Sequence, residues 1–110
     1  MTNMRRKTVD LATTDSLSTA KHLGELVRNA RKARGWSQES LAERARVSLA
    51  TMNRLEQGAV NISFGTWLAA MERVGLLHKL NEIQDPVSDA ILERTKTKHP
   101  VRNKTTDLDF

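Results

Sequence analysis

Cysteine is absent from the 110 residues. That excludes a disulfide framework and any thiolate metal site. Aromatic residues make up 4% and hydrophobic residues 38% of the chain, so a compact core is expected only in its middle. No window approaches the roughly 18 consecutive apolar residues of a membrane span. Arg5, Arg6 and Lys7 are not followed by an apolar segment, so no secretory signal is expected and the reading is a cytoplasmic protein. His22, His78 and His99 lie far apart, with no metal-ligand spacing and no nucleophile–base pattern. Catalysis, a bound metal and a cofactor are therefore not expected. The length allows one domain plus tails, since domains usually need about 50–200 residues.

What the chain does have is positive charge, a formal +5 at pH 7, unevenly spread. Residues 20–60 hold eight Lys or Arg against four acids, whereas residues 61–83 balance at two and two. The segment from residue 84 balances at five and five, but its charges are segregated: Arg94, Lys96, Lys98, Arg102 and Lys104 precede Asp107 and Asp109. A cationic first half suits a phosphate backbone, and a merely solvated basic surface is the alternative that charge alone leaves open.

Residues 1–17 show no sustained period and read as a flexible arm, in which Val9–Ala12 is a candidate short strand. From Ser18 onward, Leu23, Leu26, Val27, Ala30 and Ala33 recur at three- and four-residue steps, the pattern of an amphipathic helix capped by Ser18 or Thr19 and stopped by Gly35. Lys21, Arg28, Arg31, Lys32 and Arg34 crowd its polar side, and Trp36 is expected to cover the junction with the next helix.

Two short helices follow, at about Gln38–Ala45 and Leu49–Gln57. Ser37 and Ser48 stand at their starts, where a hydroxyl accepts from an orphan backbone N–H. Leu41, Ala42 and Ala45 line one side of the first, and Val47 plugs the turn. At 100° per residue, Met52, Leu55 and Glu56 share one side of the second, with Ala50, Asn53, Arg54 and Gln57 opposite. Two short helices so joined are a helix-turn-helix, which points to DNA. Beyond Gly58, Ser63 caps a fourth helix with Phe64, Trp67, Leu68, Met71 and Val74 as its apolar positions, and Phe64 and Trp67 are read as core. A fifth carries Leu76, Leu77, Leu80 and Ile83. The expectation is an all-α, five-helix domain over residues 18–84, with an N-terminal arm and a tail from residue 85. Asp85-Pro86 reads as a break, Val87–Leu92 as a candidate short helix, and residues 94–110 as disordered in the free protein.

The combined pattern Arg31-x-x-Arg34-Gly35-Trp36-Ser37-Gln38-x-x-Leu41-Ala42, Val47-Ser48-x-x-Thr51 and Arg54-x-Glu56-x-Gly58 resembles the lambda-repressor-like, or Xre/Cro-type, helix-turn-helix domain. The resemblance spans residues 20–83. It implies a DNA interface drawn from Ser37, Gln38, Arg46, Ser48, Leu49, Ala50, Thr51, Asn53 and Arg54. Gln38 and Arg54 would hold phosphate, and Leu49, Ala50 and Asn53 would meet bases. Asn53 suits a bidentate pair with adenine, and the apolar residues suit thymine methyls. For Leu49, partial packing is an equal alternative. Arg31 and Glu56 match positions that form a partly buried ion pair in such domains. One position departs from the family: the inter-helix turn usually has glycine where this chain has Arg46. With positive φ there, Arg costs roughly 1 kcal/mol relative to glycine. Either the turn is distorted, or Arg46 adds a phosphate contact that offsets the strain.

Domains of this kind usually bind palindromic operators as dimers, and Leu76, Leu77, Leu80 and Ile83 are available for a two-fold interface or for finishing the monomer core. The small size and short tail are most similar to HipB-type antitoxins, which implies an autoregulating repressor paired with a HipA-like kinase toxin. The tail, ending in Asp107-Leu108-Asp109-Phe110, is a candidate for ordering on such a partner. A stand-alone repressor without a toxin is the alternative.

Overall fold

The computed structural model of the chain describes residues 11–98. Six helices occur among them and no strand: α1 Thr14–Ala33, α2 Gln38–Ala45, α3 Leu49–Glu56, α4 Phe64–Arg73, α5 Leu77–Leu80 and α6 Pro86–Lys98. The all-α expectation holds. Helices α1 to α4 begin alike: the hydroxyls of Thr13, Ser37, Ser48 and Ser63 accept from the backbone N–H of Ser16, Ser40, Thr51 and Thr66 at 3.0–3.1 Å. Each satisfies a donor that the first helical turn leaves unpaired.

The core is drawn from these four helices. Val27 of α1, Leu41, Ala42 and Ala45 of α2, Met52 and Leu55 of α3, and Trp67, Ala70 and Met71 of α4 are buried together with Val74. Helix α2 packs on both α3 and α4, and α1 closes over α3. Trp36 is half-buried against this core with the Arg44 guanidinium 4.0 Å from its ring centroid, so it covers the junction as its position implied. Val47 is half-buried in the turn.

Five expectations are corrected. Helix α1 starts at Thr14, capped by Thr13 rather than by Ser18 or Thr19, which lie inside it. Its first turn is exposed, so no apolar period marked it. Leu11 and Ala12 form no strand, and the rest of Val9–Ala12 lies outside the described residues. Phe64 is 72% exposed, because it opens α4 off the centre of the stripe formed by Trp67, Ala70 and Met71. The fifth helix is a single turn; Leu76 and Leu80 pack half-buried on the core, while Ile83 is 74% exposed.

The fifth correction concerns Asp85-Pro86, which ends one helical run by starting another. Asp85 accepts from the Val87 N–H at 3.2 Å and from the Ser88 hydroxyl, its carbonyl accepts from the Asp89 N–H at 2.9 Å, and Pro86 occupies the first helical position, where its missing N–H costs nothing. Helix α6 therefore outruns the expected Val87–Leu92 and includes residues 94–98, which were expected to be disordered. Residues 99–110 of that tail lie outside the described residues.

Candidate nucleic-acid interface

Helix α3 has only eight residues, too few to be stable alone, so whatever holds it in place also determines what it presents. On its inner side Met52 and Leu55 are fully buried and Glu56 is 5% exposed. A charge this deep must be both paired and hydrogen-bonded. Glu56 accepts from Arg31 Nε at 2.7 Å and Nη2 at 3.0 Å, in a fork-on-fork pair, and from the Gln38 side-chain amide at 2.9 Å. Arg31 Nη1 donates to the Trp36 carbonyl at 2.8 Å. Among the described residues no buried side-chain nitrogen or oxygen lacks a partner. Three elements are thus fastened at one carboxylate: α1 through Arg31, the α1–α2 junction through Trp36, and the start of α2 through Gln38.

A close backbone approach supports this network. A Cβ added at Gly24 would lie 2.7 Å from the carbonyl oxygens of Leu55 and Glu56 and 2.8 Å from the Gly58 nitrogen. At Gly58, where φ is +86°, it would lie 2.5 Å from Lys21 Cα. Helix α1 therefore crosses the end of α3 almost backbone on backbone, at a spacing only glycine allows. Sequence reasoning passed over Gly24. Its signal was there nonetheless: a glycine in mid-helix costs about 1 kcal/mol against alanine unless packing requires it.

The outer side of α3 contrasts with the inner. Ala50, Asn53, Arg54 and Gln57 are exposed, as the helical angles required, and Leu49 is 48% exposed. Ser48 is spent on capping, its hydroxyl donating to Thr51 Oγ1 at 2.9 Å. Arg54 donates to the side-chain oxygen of Asn61 in the following loop, which ties its guanidinium to one edge of this face. No local pattern could have revealed that tie. Gln38 is partly buried and braces Glu56 with its amide nitrogen, and Ser37 is exposed beside it at the α2 start.

The turn between α2 and α3 is regular. Arg46 has φ 61° and ψ 44°, its N–H donates to the Glu43 carbonyl at 3.1 Å, and the Val47 N–H donates to the Ala42 carbonyl at 2.9 Å. These are the two bonds of a Schellman closure. Helices α1, α3 and α4 end in the same pair of bonds, but with Gly35, Gly58 and Gly75 at the positive-φ position. Of the two possibilities for Arg46, a distorted turn is therefore excluded. An arginine sits in a glycine conformation, exposed, next to the start of α3.

Arg28, Arg31, Gln38, Asn53, Glu56 and Gln57 line a polar cleft of about 310 Å³ where α1 meets the front of α3. Glu56 neutralises Arg31 there, so the uncompensated cation lining the cleft is Arg28. The sequence placed Arg28 on the polar side of its helix and Gln57 on the outer side with Asn53 but assigned neither to the interface; the crossing of α1 over α3 brings Arg28 into the cleft with Gln38 and Asn53. No cluster of three or more His, Asp or Glu able to hold a metal occurs among the described residues, and none of their helices is long and apolar enough to cross a membrane.

A short helix fixed from behind, with small and polar residues in front and cations at its edges, is the arrangement of a DNA-binding helix-turn-helix domain. Comparison with protein families agrees: the chain belongs to the family described as helix-turn-helix domain, whose model matches residues 22–80, more than half of its length. No curated protein and no solved structure matches the chain. At the level of class, the protein is a DNA-binding regulator.

Proposed function

We propose that the protein is a sequence-specific repressor of the Xre/Cro type that reads double-stranded operator DNA with α3. The observation that carries this reading is the division of α3 into an inner side fully engaged by Arg31, Gln38 and the core, and an outer side of exposed Leu49, Ala50, Asn53 and Arg54. Asn53 pairs with adenine in the major groove, and Leu49 and Ala50 pack on thymine methyls. Gln38, Arg54 and Arg46, with Arg28 at the cleft, hold phosphates. Ser37, Ser48 and Thr51 supply hydroxyls and backbone N–H groups at the two helix starts, where anions are favoured. Two copies act on a palindromic site, because a single short helix contacts too little DNA for specificity.

Titration of the upstream DNA of its own gene at several salt concentrations tests the assignment. Arg54→Ala weakens binding to all sequences and makes the slope of log K against log salt shallower by about 1. Asn53→Ala relaxes preference at one base pair by roughly 1–3 kcal/mol. Unchanged specificity in Asn53→Ala contradicts the assignment of the reading face.

The more particular reading is that the repressor is the antitoxin of a type II toxin–antitoxin operon, HipB-like and neutralising a HipA-like kinase toxin; the alternative is a stand-alone repressor. The resemblance and the small size of the domain support the first. Copurification of the native operon products separates them: a stably bound kinase-like second protein favours the antitoxin, and its absence favours the stand-alone repressor.

A further inference from the structure

Arg31 and Arg54 are both held by side-chain acceptors, but the acceptors differ in charge. Arg31 is buried, and its partner is the Glu56 carboxylate, which cancels its charge. Arg54 is exposed, and its partner is the neutral amide oxygen of Asn61. The ion pairs that the described residues form with one another are Arg31–Glu56 and Lys79–Glu82, so no described carboxylate cancels Arg54. Asn61 orients a guanidinium and leaves its charge available.

The loop that carries Asn61 is fixed on both sides of it. The Ala59 N–H donates to the Arg54 carbonyl at 3.0 Å, and Gly58 lies so close to Lys21 of α1 that a Cβ would not fit. On the other side Ile62 packs half-buried on the core. Beside the tied guanidinium lies a groove of about 360 Å³, lined also by Gln57, Val60 and Leu17 and by no acidic side chain. A phosphate arriving there meets a cation and no like charge.

We propose that Asn61 is a positioning residue of the DNA interface, holding Arg54 ready for a backbone phosphate without neutralising it. This rests on the operator reading for the Arg54 contact and adds the residue through which that contact gains strength. A long cationic side chain loses much rotamer freedom when DNA fixes it. A tie made before binding moves that loss into the free protein, so less is lost on association. Asn serves here where Asp would not. A carboxylate would grip the guanidinium more firmly, but it would cancel the charge that displaces counterions from DNA. The amide oxygen takes one of the guanidinium donors and leaves the rest for phosphate oxygens.

Affinity of the full chain for duplex DNA from upstream of its own gene, measured across a salt series, tests this. Asn61→Ala is expected to weaken binding about threefold to tenfold with the salt slope unchanged, because the cation remains but must be ordered on binding. In an Arg54→Ala background the same change should cause no further loss. Asn61→Asp should keep Arg54 in place yet make the slope shallower by about 1, as removal of a cation does. Thermal unfolding of Asn61→Ala should match wild type, since both side chains are exposed, and a lowered midpoint would assign the tie to stability instead. An equal loss in both backgrounds overturns the proposal, because Asn61 would then act on the fold and not through Arg54. An Asn61→Asp slope equal to wild type also overturns it. If Arg54→Ala binds weakly while Asn61→Ala binds as wild type, the proposal fails alone. A wild-type chain that binds no DNA, or an Arg54→Ala variant that binds as wild type, overturns the operator reading's use of Arg54 and the proposal with it.

Discussion

Helix α3 has eight residues and α6 has thirteen, yet it is the shorter that is fixed. Helix α3 buries two apolar side chains completely and anchors a carboxylate through three hydrogen bonds, whereas α6 is capped by Asp85 and exposed at every residue from Pro86 to Lys96. In this molecule tertiary packing, not helix length, decides which helix has a defined position. A reading helix needs that position, because hydrogen bonds to base edges tolerate little displacement.

The contrast can be broken most severely at Glu56. Glu56→Ala strands the Arg31 guanidinium in a buried site and removes the partner of Gln38, at an expected cost of about 3–5 kcal/mol. For a domain whose whole stability is about 5–15 kcal/mol, that is a large part. Chemical denaturation should show it as a lower midpoint with the slope unchanged. Gly24→Ala comes next. The added methyl gains helix propensity but meets the Leu55 and Glu56 carbonyls at 2.7 Å, so α1 must move off α3 at a net cost of about 1–3 kcal/mol. Thermal melting reads this directly, and a rise in the melting temperature would refute the close crossing.

Arg46→Gly sharpens the comparison in the other direction. Glycine accepts φ 61° without strain, so the variant should gain roughly 1 kcal/mol while binding DNA more weakly, having lost a cation beside α3. A variant neither more stable nor weaker in binding would leave the arginine without a role. The smallest effect is expected at α6. The pKa of Asp85 is lowered by its hydrogen bonds to Ser88 and Val87, so its capping contribution is complete above the ordinary value of 3.8 and is lost as pH falls through the lower folded value. Acidification at low protein concentration should therefore reduce α6 helicity, and Asp85→Ala should abolish that acid-dependent step without moving the unfolding midpoint of the core.

Where one element imposes a period, the sequence was a good guide. The inner and outer sides of α3, the Ser37, Ser48 and Ser63 caps, and the glycine stops all follow from 100° spacing and local hydrogen bonding, and the structure has them. The Arg31–Glu56 pair joins residues on different helices, so no period could reveal it; resemblance to a family did. What stayed hidden was of two kinds. Exposed helical turns, at the start of α1 and in α6 beyond Leu92, carry no apolar period. Placements that join separate elements, the close approach at Gly24, Arg28 in the cleft beside α3 and the bond from Arg54 to Asn61 in the following loop, depend on how elements are placed in space. Phe64 shows the converse error, since an apolar residue at the edge of a stripe was assigned to a core that ends before reaching it; Ile83, left open between core and two-fold interface, also lies outside that core.

The central claim is that the braced front of α3 is the surface that meets DNA. Backbone amide shifts measured by nuclear magnetic resonance while titrating a duplex from the gene's own promoter test it most directly. The account predicts the largest changes at Gln38, Ser48, Leu49, Ala50, Asn53 and Arg54, with little change along α4 from Trp67 to Arg73. Changes centred on α4 or on the outer side of α6, with α3 silent, would contradict it.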